Sequence, residues 1–139
     1  MPNPAPQSEM DRILLVDDEV HLTNLWRMIL EQSGRYLVHE ENRGTRVMQT
    51  ARSFRPHLIF LDRHLAGTDG GELASEMRAD PELGSVPIVC VTGSVTKDEA
   101  ATHGLFGGAP TLAKPFGSHA LTLLAATILA ARHRTLRAA

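Results

Sequence analysis

Five residues of this 139-residue chain are of types that together can handle a phosphoryl group: Asp17, Asp18, Asp62, Thr92 and Lys114. Carboxylates gathered in one place raise each other's pKa unless a cation stands among them. A hard divalent ion meets that need. Mg2+ takes one or two carboxylates, several waters and a phosphate oxygen into an octahedron. Once the ion and a lysine such as Lys114 neutralise charge on the phosphoryl oxygens, a carboxylate can act as a nucleophile toward phosphorus. The hydroxyl of Thr92 can donate a hydrogen bond to the group once it has arrived.

The five meet only if the fold brings them together. Each sits at or just after the end of a short apolar run: Ile13-Leu14-Leu15-Val16, Leu58-Ile59-Phe60-Leu61, Ile88-Val89-Cys90-Val91 and Leu112-Ala113. Such runs without polar alternation are expected of strands buried on both faces. Strands are predicted near 12–16, 36–40, 57–61, 86–91 and 111–113, with Pro87 tolerable at the first positions of the fourth. Helices are predicted over 20–32, 45–53, 72–79, 96–105 and 118–132. The first helix carries an apolar stripe of Leu22, Leu25, Trp26, Ile29 and Leu30 and ends at Gly34. The second turns Val47, Met48 and Ala51 inward, and the fifth Leu121, Leu124, Ala125 and Ile128. The stretch 63–71, with three glycines, reads as a loop. Five alternating strand–helix units imply an α/β three-layer sandwich, a parallel sheet with helices on both faces. The flavodoxin-like (βα)5 order 2-1-3-4-5 sets the first and third strands side by side at the switch point, where Asp17, Asp18 and Asp62 fall.

Composition narrows the classes. At this length one domain with a single core is expected, divided as a disordered lead-in over 1–10, the folded domain over 11–132 and a short tail over 133–139. A net charge of −2 argues against a nucleic-acid-binding face. The single cysteine, Cys90, excludes an internal disulfide, and its apolar run makes it a buried structural thiol. There is no apolar stretch of transmembrane length and no signal-peptide h-region, so a cytoplasmic protein without membrane contact is expected. The histidines show no metal-ligand spacing among themselves. Trp26 is expected in the core, and Arg132, His133, Arg134 and Arg137 are expected to be a solvated helix end.

In order along the chain, Val16-Asp17-Asp18-Glu19, Asp62, Asp69-Gly70, Thr92 and Lys114-Pro115-Phe116 resemble the receiver domain of two-component response regulators. The intervals also resemble that family's: 44 residues from Asp18 to Asp62, 30 more to Thr92 and 22 more to Lys114. The resemblance spans roughly residues 11–132. It implies that Asp62 is the phosphoacceptor, that Asp18 ligates Mg2+ directly, and that Asp17 acts on the metal mainly through water. The backbone carbonyl of His64 is implied as a further ligand. Lys114, before an implied cis bond to Pro115, would pair with the phosphoryl group, and Thr92 would relay its presence. His64 and Ser94 fall where side chains govern how long the phosphoaspartate survives, and Gly93 keeps the site open. The implied partners are a sensor histidine kinase or histidine phosphotransfer protein and a downstream protein target. Any homodimer would use the face of the fourth helix, fifth strand and fifth helix. A stand-alone receiver is expected, catalysing only its own phosphorylation and dephosphorylation.

Two departures stand out. Thr111 occupies the switch position where the family usually has an aromatic residue, and Ala66 replaces a proline, which implies a looser loop after Asp62. Two alternatives stay open. One is a receiver-like binding module that is not phosphorylated. The other is a phosphatase of the haloacid dehalogenase type, disfavoured because His64 stands where its acid catalyst would and because Asp17-Asp18 precede the lysine. Asp17 and Asp18 could also serve simply to cap the helix that follows them.

Overall fold

The computed structural model describes residues 10–93 and 110–138. Five strands form one parallel sheet: β1 (Asp11–Val16), β2 (Tyr36–Glu41), β3 (Leu58–Asp62), β6 (Ile88–Thr92) and β7 (Thr111–Ala113). Their order is β2-β1-β3-β6-β7, which is the expected 2-1-3-4-5. The numbering skips to β6 because a two-residue hairpin, β4 (His64–Leu65) with β5 (Thr68–Asp69), intervenes. Helices α1 (Val20–Glu31), α2 (Val47–Phe54), α3 (Gly70–Ala79) and the C-terminal helix (Ser118–Ala138) flank the sheet. A 3-10 turn, Gly44–Arg46, leads into α2.

Successive strand residues point to opposite faces, so each apolar run serves two cores. Leu14, Val16, Ile59, Leu61, Ile88 and Cys90 pack against Val47 and Ala51 of α2 and Leu73, Ala74 and Met77 of α3. Ile13, Leu15, Leu58, Phe60, Val89 and Val91 pack against Trp26 and Leu30 of α1 and Leu121, Ala125 and Leu129 of the C-terminal helix. Burial on both sides is why polar residues stand only at the ends of these strands, Asp11 and Arg12 opening β1 and Asp62 and Thr92 closing β3 and β6. Truncating a wholly buried member such as Phe60 to alanine would cost about 3–5 kcal/mol.

Several expectations need correction. Leu25 is 51% exposed, because the buried stripe of α1 is narrower than the apolar pattern and takes in Thr23 instead. The stretch 63–71 is not all loop. It holds the β4–β5 hairpin, and α3 starts two residues early at Gly70 because the Asp69 carboxylate accepts the Gly71 N–H at 2.7 Å and caps it. The fourth strand begins at Ile88; Pro87 has no N–H to give, yet its carbonyl still accepts the Ile59 N–H at 3.0 Å. The C-terminal helix, expected to stop near Arg132, continues to Ala138. Its last turns are tied back rather than simply solvated: Arg132 donates to Asp11 at 3.3 Å, and His133 Nε2 lies 2.7 Å from the same carboxylate. Residues 1–9 of the lead-in expected over 1–10, the helix expected over 96–105 and Ser94 lie outside the described residues.

Candidate functional site

The carboxyl ends of β1, β3, β6 and β7 share one edge of the sheet, and the strand register sets them level. Val16 pairs with Leu61, Asp62 with Val91 and Thr92 with Ala113. The next residue along β1 is Asp17 and the next along β7 is Lys114. Asp17, Asp18, Asp62, Thr92 and Lys114 therefore converge, and one carboxylate oxygen from each aspartate lies within 4.8 Å of the others.

Asp17 is wholly buried and fully partnered. Its Oδ1 accepts the Glu19 N–H at 2.9 Å and its Oδ2 accepts Lys114 Nζ at 2.6 Å. Asp62, 5% exposed, accepts the His64 N–H at 3.1 Å through Oδ1 and faces Lys114 Nζ at 3.5 Å through Oδ2. Lys114 thus leans on Asp17 and reaches toward Asp62. Asp18 is exposed and accepts the Ala66 N–H at 3.0 Å. Neither Asp17 nor Asp18 caps α1, whose N-cap is Glu19 without a side-chain bond.

Burial pushes the Asp62 carboxyl above the ordinary aspartate range. The His64 N–H opposes this, the charge of Asp17 adds to it and Lys114 opposes it. For Lys114, burial works against the charged form, but the bond and charge of Asp17, then the charges of Asp62 and Glu19, prevail and raise its pKa. The pocket thus holds more negative charge than one ammonium balances. That surplus, supplied by oxygen donors alone with one carboxylate facing solvent, fits a hard divalent cation such as Mg2+ and not a soft metal. Among the described residues this is the one group of three or more acidic, histidine or cysteine side chains placed to hold an ion.

The neighbouring positions divide. Thr92 is buried at 3%, and its carbonyl accepts the Lys114 N–H at 2.7 Å, which ties β6 to the start of the lysine loop. The Lys114-Pro115 bond is cis, as expected. Gly93 is exposed, and a Cβ there would meet nothing within 4 Å among the described residues. The His64 side chain is exposed, as is Thr111 on the edge strand β7. The loop after Asp62 is held by a bond that proline could not make, because Ala66 has the N–H that Asp18 accepts.

Four contributors were not singled out for the site from sequence. Asn42, just past β2, donates to the Asp17 carbonyl at 2.7 Å and to Thr23 Oγ1 at 2.9 Å, locking the ends of two strands to α1. Thr23, wholly buried, receives that bond. Gly70 entered the sequence pattern only beside Asp69, with no role at the site. A Cβ at Gly70 would strike the Asp62 carbonyl and come within 2.9 Å of Arg63 Cα, so α3 can start beneath Asp62 only with glycine there. Trp26 is in the core as expected, yet its ring also lies 5.7 Å from Lys114 Nζ. A polar residue following a strand was the one available signal for Asn42, and nothing local marks the ring beneath the lysine.

The family model for the response regulator receiver domain matches residues 13–126. The polar-differentiation response regulator DivK of Brucella anthropi is 30% identical over 87 residues, which cover 63% of this chain and 70% of DivK. The DNA-binding response regulator MtrA of Mycobacterium tuberculosis is 34% identical over 106 residues, 76% of this chain and 44% of MtrA. The chain spans about half the length of several curated relatives of this kind. Among solved structures, a CheY-like response regulator receiver domain protein from Methanospirillum hungatei superposes with a TM-score of 0.81 at 21% identity, covering 91% of this chain and 98% of that one. Among the described residues no helix is long and apolar enough to cross a membrane.

Proposed function

Because this chain belongs to the response regulator receiver-domain family of two-component signalling, we propose that Asp62 accepts a phosphoryl group from a phosphohistidine and that the change alters the domain's partner-binding surface. The observation that carries this reading is the placement of one ammonium, Lys114 Nζ, 3.5 Å from Asp62 and 2.6 Å from Asp17, inside a cluster of three carboxylates.

In the transfer, an Asp62 oxygen attacks phosphorus while the bond from phosphorus to the donor imidazole breaks. The imidazole nitrogen leaves with the bonding pair and takes up a proton. Lys114 neutralises charge on the equatorial oxygens, and the N–H of His64 holds the second Asp62 oxygen so that the first faces the donor. Mg2+, held by Asp18, Asp62 and the His64 carbonyl with Asp17 acting through water, would supply the further positive charge that the phosphoryl oxygens need. Water attack on the acyl phosphate then releases inorganic phosphate and restores the carboxylate. Thr92 senses the phosphoryl group. His64, Gly93 and Ser94 flank it and modulate its lifetime. Thr111, exposed and not aromatic, makes the onward relay differ from the usual threonine–aromatic pair.

In this reading the donor is a sensor histidine kinase or phosphotransfer protein, and the output is a downstream protein, with any dimer forming on the face around β7 and the C-terminal helix. The domain is a switch turning over its own phosphate, not an enzyme acting on a small substrate. Incubation with acetyl phosphate and Mg2+ followed by intact-mass measurement tests it. A phosphoryl adduct is expected on the wild type and none on Asp62→Asn. No adduct with any small phosphodonor or with a phosphorylated kinase would instead identify a binding module that signals without phosphate.

A further inference from the structure

The geometry points to Trp26 as a positioning residue for Lys114: its indole face holds the ammonium where it can serve both Asp17 and a phosphoryl group on Asp62. This rests on the reading of Asp62 as phosphoacceptor. Lys114 has a compact charge on a flexible four-carbon stem, and its side chain keeps 17% of its surface in solvent. Left to itself such a stem samples positions away from the acids. Three groups restrain it. Asp17 Oδ2 lies at 2.6 Å, Asp62 Oδ2 at 3.5 Å, and the Trp26 ring centroid at 5.7 Å.

That last distance is within the range at which a cation is drawn to the face of an aromatic ring, and tryptophan is the strongest of the aromatic partners. The attraction grows when water is excluded, and Trp26 is 5% exposed. The same ring packs on Phe116, two residues after Lys114, with centroids 5.1 Å apart and planes 32° to one another. Trp26 therefore meets the lysine loop twice, through the ammonium and through Phe116. Its own position is fixed by α1, the helix that starts immediately after Asp17-Asp18-Glu19. One helix thus carries the acids at its entry and, two turns on, the ring that steadies their counter-charge.

The consequence is kinetic. A phosphoryl group arriving on Asp62 must draw the ammonium from Asp17 toward itself. A ring beneath the lysine limits the alternatives to those two anions and keeps the ammonium from swinging into water. Phe, Met and Leu are all smaller than the indole and leave some cavity, so the aliphatic variants are read against Phe, which keeps a ring face for the ammonium, and against each variant's own stability.

The test is the rate of Asp62 labelling by acetyl phosphate in Mg2+, followed by mass, for Trp26→Phe, Trp26→Met and Trp26→Leu. The expected order is wild type, then Phe, then Met and Leu together. The aliphatic variants are expected to fall about fivefold, equivalent to about 1 kcal/mol at 1.36 kcal/mol per tenfold. A structural role alone would make the rate follow thermal stability, so each variant's Tm is measured beside its rate. Slower labelling in Met than in Phe at matched Tm supports the inference. Equal rates in Phe and Met, or rates that track Tm alone, overturn it. Where the aliphatic variants fail to fold, Trp26→Phe against Trp26→Tyr with wild-type emission carries the test. Trp26 is the sole tryptophan, so its fluorescence must change on labelling as the ammonium moves, and an unchanged spectrum overturns the inference. A labelled wild type with indifferent variants sinks only the role of Trp26, whereas an unlabelled wild type sinks the function on which it rests.

Discussion

Replacing Lys114 with methionine should expose how much acid the site holds. Methionine keeps most of the aliphatic stem and deletes the charge. What remains is a wholly buried Asp17 with a single N–H on one oxygen, beside an Asp62 that is itself nearly buried. Removing one partner of a buried ion pair costs about 3–5 kcal/mol, and the residual exposure of Lys114 places this case near the lower bound, about 3 kcal/mol. At the few degrees per kcal/mol typical of a domain of this size, Tm should fall by about 10 °C. The assay is thermal denaturation followed by circular dichroism, in chelator, at pH 7.5 and at pH 4.5. The direction with pH follows from Asp62, whose folded-state pKa is already raised by burial. A carboxyl with a raised folded pKa destabilises the fold when ionised, fully above that folded pKa, and the penalty fades as pH falls toward the unfolded value. Loss of the ammonium raises that pKa further, so the gap between variant and wild type should narrow at pH 4.5. Two rescues should work at pH 7.5: millimolar Mg2+, by restoring positive charge, and Asp17→Asn in the same chain, by removing the stranded anion. A loss below about 1 kcal/mol, or one equal at both pH values and indifferent to Mg2+, would refute the view that Lys114 is the counter-ion of a charge-overloaded pocket.

Two further perturbations probe the frame around the site. Gly70→Ala drives a Cβ into the Asp62 carbonyl and against Arg63 Cα, backbone atoms that cannot rotate away. It should cost about 1–3 kcal/mol in urea unfolding and slow Asp62 labelling; a neutral result in both would show that α3 can retreat from β3 without consequence. His57 links the opposite edge of the sheet to pH. Burial first, then the charges of Arg132 and Arg12, push its pKa from 6.5 to about 4, and its bare Nδ1 accepts the Arg12 N–H at 2.9 Å. Between those values the unfolded chain binds the extra proton, so His57's contribution is complete above its unfolded pKa and drains away as pH falls toward its folded one. Discounted for partial solvent contact, it amounts to roughly 1–2 kcal/mol. Urea titrations at pH 7 and pH 4.5 should show this difference shrinking in His57→Asn, whose amide oxygen can take the same bond without titrating; an unchanged difference would put the acid sensitivity elsewhere.

Much of the molecule was legible before any coordinates, for a physical reason. A strand segment buried on both faces must be apolar, so Ile13–Val16 of β1, Leu58–Leu61 of β3 and Ile88–Val91 of β6 announce themselves as unbroken runs. The first polar residue after each run must then lie at the carboxyl edge of the sheet. Types and spacing therefore implied that Asp17, Asp18, Asp62, Thr92 and Lys114 share one edge, and the alternation of strand and helix implied a parallel sheet. The strand order followed only once the flavodoxin-like topology was assumed, and the structure has that order. Features set by atoms far apart in the chain were decided only by tertiary structure. The lysine rests on Asp17 more closely than on Asp62, Ala66 bonds Asp18, Asn42 reaches the Asp17 carbonyl, and the Trp26 ring lies under the ammonium. Local pattern also misjudged Leu25, because an apolar residue on a helix is buried only where a neighbour covers it. Propensity and periodicity act over a few residues and are written in the chain. Distances across the sheet edge follow from register, twist and packing, which exist only once all the strands have met.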